Sequence, residues 1–209
     1  MKRRDALKNI GFSLGTMVLT PSLVSLLQSC TASISWTPRF FSPAQAGLLE
    51  KTIDLILPKT ELPGGKALHI PQFLDGYVSA VMNTTEQDFL RKSLAAFEKI
   101  TLQASRKENI EALDLDDIDR QLFSLLKADS PSKAAWEREL QDYDADKDAP
   151  VSETALAYAF ISQCRDRAAT AYRMSEYIGE QVLAYDPIPG MQKGCVDLQT
   201  TTGGKAWSL

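Results

Sequence analysis

Helical periodicity with a capping residue at several starts predicts an all-α fold, an irregular helical bundle of four to five main helices with a C-terminal proline-rich strap. Three observations carry that prediction. Apolar residues recur at the spacing that lines one face of a helix. Several periodic segments open on Ser, Asn or Asp, and Pro stands near some of their ends. Alternating apolar and polar runs of the kind that make strands are nearly absent. With 44% hydrophobic and 24% charged residues, the chain has the composition of a globular protein and can build a core for such a bundle.

The first stretch in chain order stands apart from the bundle. Lys2-Arg3-Arg4 precedes an apolar run from Ile10 to Leu27 that Gly11, Gly15 and Pro21 interrupt. That outline is an export signal over residues 1–29. The interruption argues against a spanning helix, which takes about 20 mostly apolar residues. Arg3-Arg4 followed by Leu7 resembles the twin-arginine pattern, whose translocase carries proteins already folded. Leu27-Gln28-Ser29-Cys30 resembles a bacterial lipobox, which makes Cys30 a candidate lipidation site. Export to the periplasm and a membrane anchor through a lipid on Cys30 are the expectations.

Residues 30–41 lack a period and read as a tether; residues 42–209 read as a single helical domain. Ser42 can cap, Pro43 takes the first helical position, and Gln45 can complete a capping box. Leu48, Leu49, Ile53, Ile56 and Leu57 form the apolar stripe of this helix, and Pro58 stops it. After a loop with Pro63-Gly64-Gly65, Pro71 begins a short helix bearing Leu74, Tyr77, Val78 and Val81. Asn83 caps a third helix with Phe89, Leu90, Leu94, Phe97 and Ile100. The acids from Asp114 to Asp117 suit the positive end of a fourth, whose core side is Ile118, Leu122, Leu125 and Leu126. Ser130-Pro131 is expected to end or interrupt that helix, leaving another polar turn or two over Lys133 to Leu140. The longest helix is expected from about Ser152 to about Ala184. The core falls to Leu48, Ile53, Leu94, Phe97, Leu122 and Leu126.

Charge and residue inventory then limit function. The whole chain carries −4; removing Lys2, Arg3, Arg4, Lys8 and Asp5 with the signal leaves 19 basic and 26 acidic residues, or −7. Such a surface has no electrostatic footprint for nucleic acid and none for anionic lipid. Covalent haem and a four-cysteine iron–sulfur cluster lack their motifs. A helix running on from Cys164 would carry the chain away from Cys195, so buried free thiols are expected rather than a disulfide. His69 is the sole histidine and reads as structural or solvated rather than as a general base. No phosphate loop or dinucleotide fingerprint is present. No catalytic or cofactor-binding residue is therefore assigned. Asp142, Asp144, Asp146 and Asp148, with Glu153, match alternate positions and the last position of a calcium loop, but Lys147 stands where the turn needs glycine. A solvated acidic linker is the favoured reading and calcium the lesser one.

The most specific stretches lie near the two ends of the domain. Tyr172-Arg173-Met174-Ser175-Glu176-Tyr177-Ile178-Gly179, then Gln181 through Pro187-Ile188-Pro189-Gly190, and Gly194-Cys195 resemble the C-terminal signature of the gluconate 2-dehydrogenase subunit 3 family. Ile56-Leu57-Pro58, Pro63-Gly64 and Ile70-Pro71-Gln72-Phe73-Leu74-Asp75 resemble its N-terminal segment. The resemblance implies a non-catalytic small subunit of a flavin-containing sugar or sugar-acid dehydrogenase of the glucose-methanol-choline type, often with a cytochrome c as electron acceptor. It implies FAD in that partner and none in this chain. It also implies that the small subunit supplies the export signal and escorts the folded flavoprotein. In the strap, Pro187 and Pro189 stiffen the chain, Gly190 permits a turn, and Tyr185 and Ile188 can then be presented with little entropy left to lose. These five are the candidate partner-binding residues, against the alternative that the strap packs over its own bundle. The alternative function is a free-standing periplasmic lipoprotein that binds a ligand or calcium.

Overall fold

The computed structural model describes residues 34–188, 190–191 and 194–208. Arg3, Arg4 and Cys30 of the expected export segment, and Pro189 of the strap, lie outside the described residues. The described α-helices are α1 (Pro43–Ile56), α2 (Ile70–Ala80), α3 (Thr84–Ser105), α4 (Leu115–Leu126), α5 (Ser130–Ala145), α6 (Glu153–Arg173) and α7 (Leu198–Thr202). A 3₁₀ turn at Ile110–Ala112 and a π turn at Tyr177–Val182 join them. Among the described residues there is no strand, only an isolated bridge between Ala184 and Trp207. The fold is all-α, as expected.

Three helices start by the same device. Ser42 Oγ accepts from Gln45 N while Gln45 Oε1 accepts from Ser42 N, at 3.2 and 3.1 Å. Asn83 and Glu86 repeat the exchange at α3, and Asp114 and Asp117 at α4. Each box satisfies two backbone groups, among them a first-turn N–H that has no partner inside the helix. α2 begins differently. His69 caps it from the left-handed region at φ 57°, with no side-chain bond, while Ile70 N donates to Gly65 O at 3.0 Å.

α6 is the central element and touches each of α1 to α5, α3 most extensively. Its first half is buried on more than one side, through Ala155, Leu156, Ala157, Ala159, Phe160 and Ile161. The alanines let neighbouring helices approach closely while the larger residues fill the spaces between them. Phe160 meets Phe97 of α3 with ring centroids 5.5 Å apart, and Phe97 is completely buried. Leu48, Ile53, Leu94 and Leu122 are buried as expected. Leu126 is only half-buried: Ile118, Leu122 and Leu125 hold the core face of α4, and Leu126 lies at its edge. Val81 is exposed because α2 ends at Ala80 and leaves it past the last turn.

Two segments differ from expectation. Pro131 does not interrupt a helix; it opens one. At the first turn its missing N–H costs nothing, so α5 runs 16 residues from Ser130 through the stretch expected to make a turn or two. Conversely, the helix expected to reach Ala184 stops at Arg173. Ser175 turns its N–H and its hydroxyl onto the Tyr172 carbonyl, at 3.2 and 2.7 Å, and the chain continues as a π turn.

Candidate docking surface

The loop after α1 folds back on the helix that precedes it. Gly65 N donates to Leu57 O at 2.8 Å. A Cβ on Gly64 would stand 2.8 Å from Leu57 O and Lys59 N, and one on Gly65 would stand 2.7 Å from Ile53 Cγ2. Both glycines are therefore required by close approach of backbone and core. The phenol of Tyr172, near the end of α6, donates to Pro63 O at 3.0 Å. The Pro63-Gly64 loop and the tyrosine that opens the C-terminal stretch thus form one platform.

A second anchor was not foreseen. Asp75 on α2 is buried, and its carboxylate accepts three consecutive backbone N–H groups: Arg39 at 2.7 Å, Phe40 at 3.0 Å and Phe41 at 3.1 Å. A buried carboxylate survives without a counter-ion when donors saturate it in this way. Trp36 Nε1 donates to Glu50 Oε1 at 2.7 Å, and Lys66 pairs with the same carboxylate at 3.0 Å. From Trp36 onward the segment read as a tether is held against the domain. The available signal was an acid lying among Ile70, Pro71, Leu74 and Val78, the apolar side of a short amphipathic helix.

Beyond the π turn, Ala184 N donates to Ala206 O at 2.9 Å and Ser208 N donates to Ala184 O at 2.8 Å. These bonds close residues 185–206 into a loop that carries α7. Gly179 lets the returning end come near, since a Cβ there would meet Ser208 Oγ at 3.0 Å. Of the candidate partner-binding residues, Tyr185, Pro187, Ile188 and Gly190 are all exposed. Ile188 is 83% exposed, and Gly190 turns at φ 65°. Met174, Tyr177, Met191, Val196, Leu198 and Trp207 add exposed apolar side chains to the same C-terminal region. One such side chain is ordinary; several in one segment make it the candidate docking surface.

The remaining candidates are scattered. Asp142 and Asp144 lie on α5, and Asp146 caps its end, so helix occupies the beginning of the would-be calcium loop. Asp144 pairs with Lys147 at 2.6 Å, while Glu153 pairs with Lys99 of α3. Among the described residues no three His, Cys, Asp or Glu side chains are grouped to hold a metal ion. His69 is exposed at its cap position. Cys164 and Cys195 are not bonded to each other, but Cys195 is exposed rather than buried. The distance argument between them also loses its premise, because α6 ends early. Burial pushes the Cys164 thiol up to about 12, which makes it inert near neutrality.

Comparison with protein families matches residues 43–190 to the model described as Gluconate 2-dehydrogenase subunit 3. No curated protein and no solved structure matches the chain.

Proposed function

The chain belongs to the gluconate 2-dehydrogenase subunit 3 family, and from that premise we propose that it is the non-catalytic small subunit and export escort of a periplasmic FAD-dependent dehydrogenase of the glucose-methanol-choline type. The observation that carries the reading is the exposed apolar C-terminal region, from Met174 to Trp207, mounted on a platform that the family match spans for most of its length. A surface of that kind is stabilised by a protein partner that covers it. The substrate of the complex is a sugar or sugar acid, oxidised on the partner, from which a cytochrome c takes the electrons. The signal over residues 1–29 takes the assembled pair through the twin-arginine translocase, and a lipid on Cys30 keeps it at the membrane. No described helix is long and apolar enough to cross a membrane, so attachment through Cys30 does not compete with a span in that part of the chain.

Co-expression tests the reading. The chain and an FAD-dependent dehydrogenase from the same organism should co-purify as a complex with dehydrogenase activity, and the flavoprotein alone should stay in the cytoplasm. A flavoprotein that reaches the periplasm without this chain would overturn the escort role.

A further inference from the structure

Between α2 and α6 the surface opens into a groove of about 480 Å³, whose lining includes Phe73, Tyr77, Gln163, Arg167, Ala171 and Met174. Phe73 and Tyr77 are one helical turn apart with ring centroids separated by 6.3 Å. Phe73 is 54% exposed and Met174 is 62% exposed, so apolar surface faces water at the groove.

Two charged residues, Asp166 and Arg167, break this apolar lining. The Arg167 guanidinium carbon lies 5.1 Å from the centre of the Tyr77 ring. Among the described residues Arg167 is in no ion pair. Asp166, the acid beside it, is engaged by Arg165 Nε at 2.8 Å. The chain is acidic overall, with 27 acids to 23 Lys and Arg, so an unpaired half-buried arginine is not explained by a shortage of partners. A guanidinium that lays one face on an aromatic ring keeps the N–H donors at its edge for a planar carboxylate. An apolar floor beside an available donor fork complements a ligand that is apolar and anionic at adjacent points.

We propose that this groove docks an acidic segment of the partner dehydrogenase subunit, with a large apolar side chain on Phe73, Tyr77 and Met174 and a neighbouring carboxylate on Arg167. The proposal rests on the accessory-subunit reading and adds a second contact to it. Met174 lines the groove and is the first residue of the C-terminal region, so the two contacts adjoin along the chain.

The test uses the signal-cleaved full chain with labelled methionine methyls and two probes, acetyl-Gly-Leu-Phe-Asp-Gly-amide and its Asn twin. The Asp peptide should shift the Met174 methyl saturably and bind about tenfold more tightly than the Asn peptide, the scale of one charge-assisted hydrogen bond. Arg167→Gln should erase that difference, and Arg167→Lys, which keeps the charge but loses the fork, should retain part of it. Phe73→Ser, at an exposed position, should weaken both peptides alike and serves if the arginine variant folds poorly. Equal affinity for the two peptides, no binding, or shifts that bypass Met174 would overturn the proposal. A dimer of this chain that Arg167→Gln dissociates would overturn it in favour of a self-interface. Co-purification separates the proposal from its premise: a flavoprotein retained equally by wild type and Arg167→Gln rejects the groove alone, whereas a flavoprotein that never associates with wild type rejects the accessory-subunit reading.

Discussion

The Tyr172 hydroxyl donates to the Pro63 carbonyl oxygen at 3.0 Å across 109 residues of sequence. It joins the start of the C-terminal stretch to the loop that closes α1, and so ties the exposed surface to the core. Tyr172→Phe removes that donor and little else. The domain should lose about 1 kcal/mol, with the loss concentrated in the loop. Denaturant midpoints and amide exchange at Gly65, whose N–H is held by Leu57, measure both effects. Unchanged exchange at Gly65 would mean that the loop is held by packing alone.

Asp75 should be the most sensitive polar residue of the bundle. Asp75→Ala leaves the N–H groups of Arg39, Phe40 and Phe41 facing a cavity, and the expected loss is about 3 kcal/mol or more. Asp75→Asn keeps an acceptor oxygen but adds two donors to a site already full of donors, so it should rescue only a fraction. Thermal melting measures the loss, and proteolysis between Trp36 and Phe41 reports release of the segment. A loss below that of Tyr172→Phe would show that the bonds are not what holds it.

Around Lys107 the charges make stability depend on pH in a defined direction. Its ammonium pairs with Asp114 at 2.9 Å and with Asp117, which also receives Arg120 at 2.5 Å. Lys107 holds the Asp114 carboxyl down from its ordinary 3.8 to about 2, and it lowers Asp117 as well. The hydrogen bonds to Asp114 and Asp117 raise Lys107 above its ordinary 10.5. Depressed carboxyls stabilise the fold fully above 3.8 and lose that contribution as pH falls toward about 2. A raised lysine contributes fully below 10.5 and loses its share as pH climbs through the higher folded value. The melting temperatures of wild type and Lys107→Gln should therefore differ at neutral pH and converge at both extremes. A constant difference across the whole range would remove the ion pairs from the explanation.

Export and attachment are expected to separate by residue. Arg3→Lys with Arg4→Lys should strand this chain and its flavoprotein in the cytoplasm, as fractionation would show. Cys30→Ala should leave export intact and release the protein from membranes, because an acidic surface gives anionic lipid nothing to hold. Membrane association of a signal-cleaved Cys30→Ala form would refute the lipid anchor.

The sequence made helix starts legible because a cap is local chemistry. Ser42 with Gln45, and Asn83 before Glu86, lie three residues apart and need no tertiary partner. The core was legible for the same reason, through periodicity within single helices. What escaped depended on position or distance. Pro131 looked like a breaker because its effect depends on whether it sits in the first turn or the interior. The end of α6 turns on two bonds from Ser175 to Tyr172 and on a π turn that approaches Ser208, and no period announces either. Asp75 could be noticed as an acid on an apolar face, but its three donors come from a segment more than 30 residues earlier. At the candidate surface the composition of the strap was legible and its exposure was not, since Tyr185 and Ile188 would suit a core equally well.

That ambiguity sets the last test. Tyr185 is 51% exposed and Ile188 is 83% exposed, so cutting either to Ala removes little that the isolated domain has buried. If the strap docks on the flavoprotein, Tyr185→Ala should cost about 2 kcal/mol of binding, as loss of a large amphipathic anchor does. Pro187→Ala should act through the free chain, adding conformations that docking must remove, at about 1 kcal/mol. Neither change reaches the Ala184 to Trp207 bridge, which is made by backbone groups. The melting temperature of the isolated subunit should therefore stay within about 2 °C of wild type for both variants. Affinity for the flavoprotein, measured by titration or by recovered dehydrogenase activity on co-expression, should fall in that order. A melting temperature that drops several degrees with affinity unchanged in the folded fraction would place Tyr185 in intramolecular packing, and the docking surface would then have to be sought among Met174, Tyr177 and Trp207.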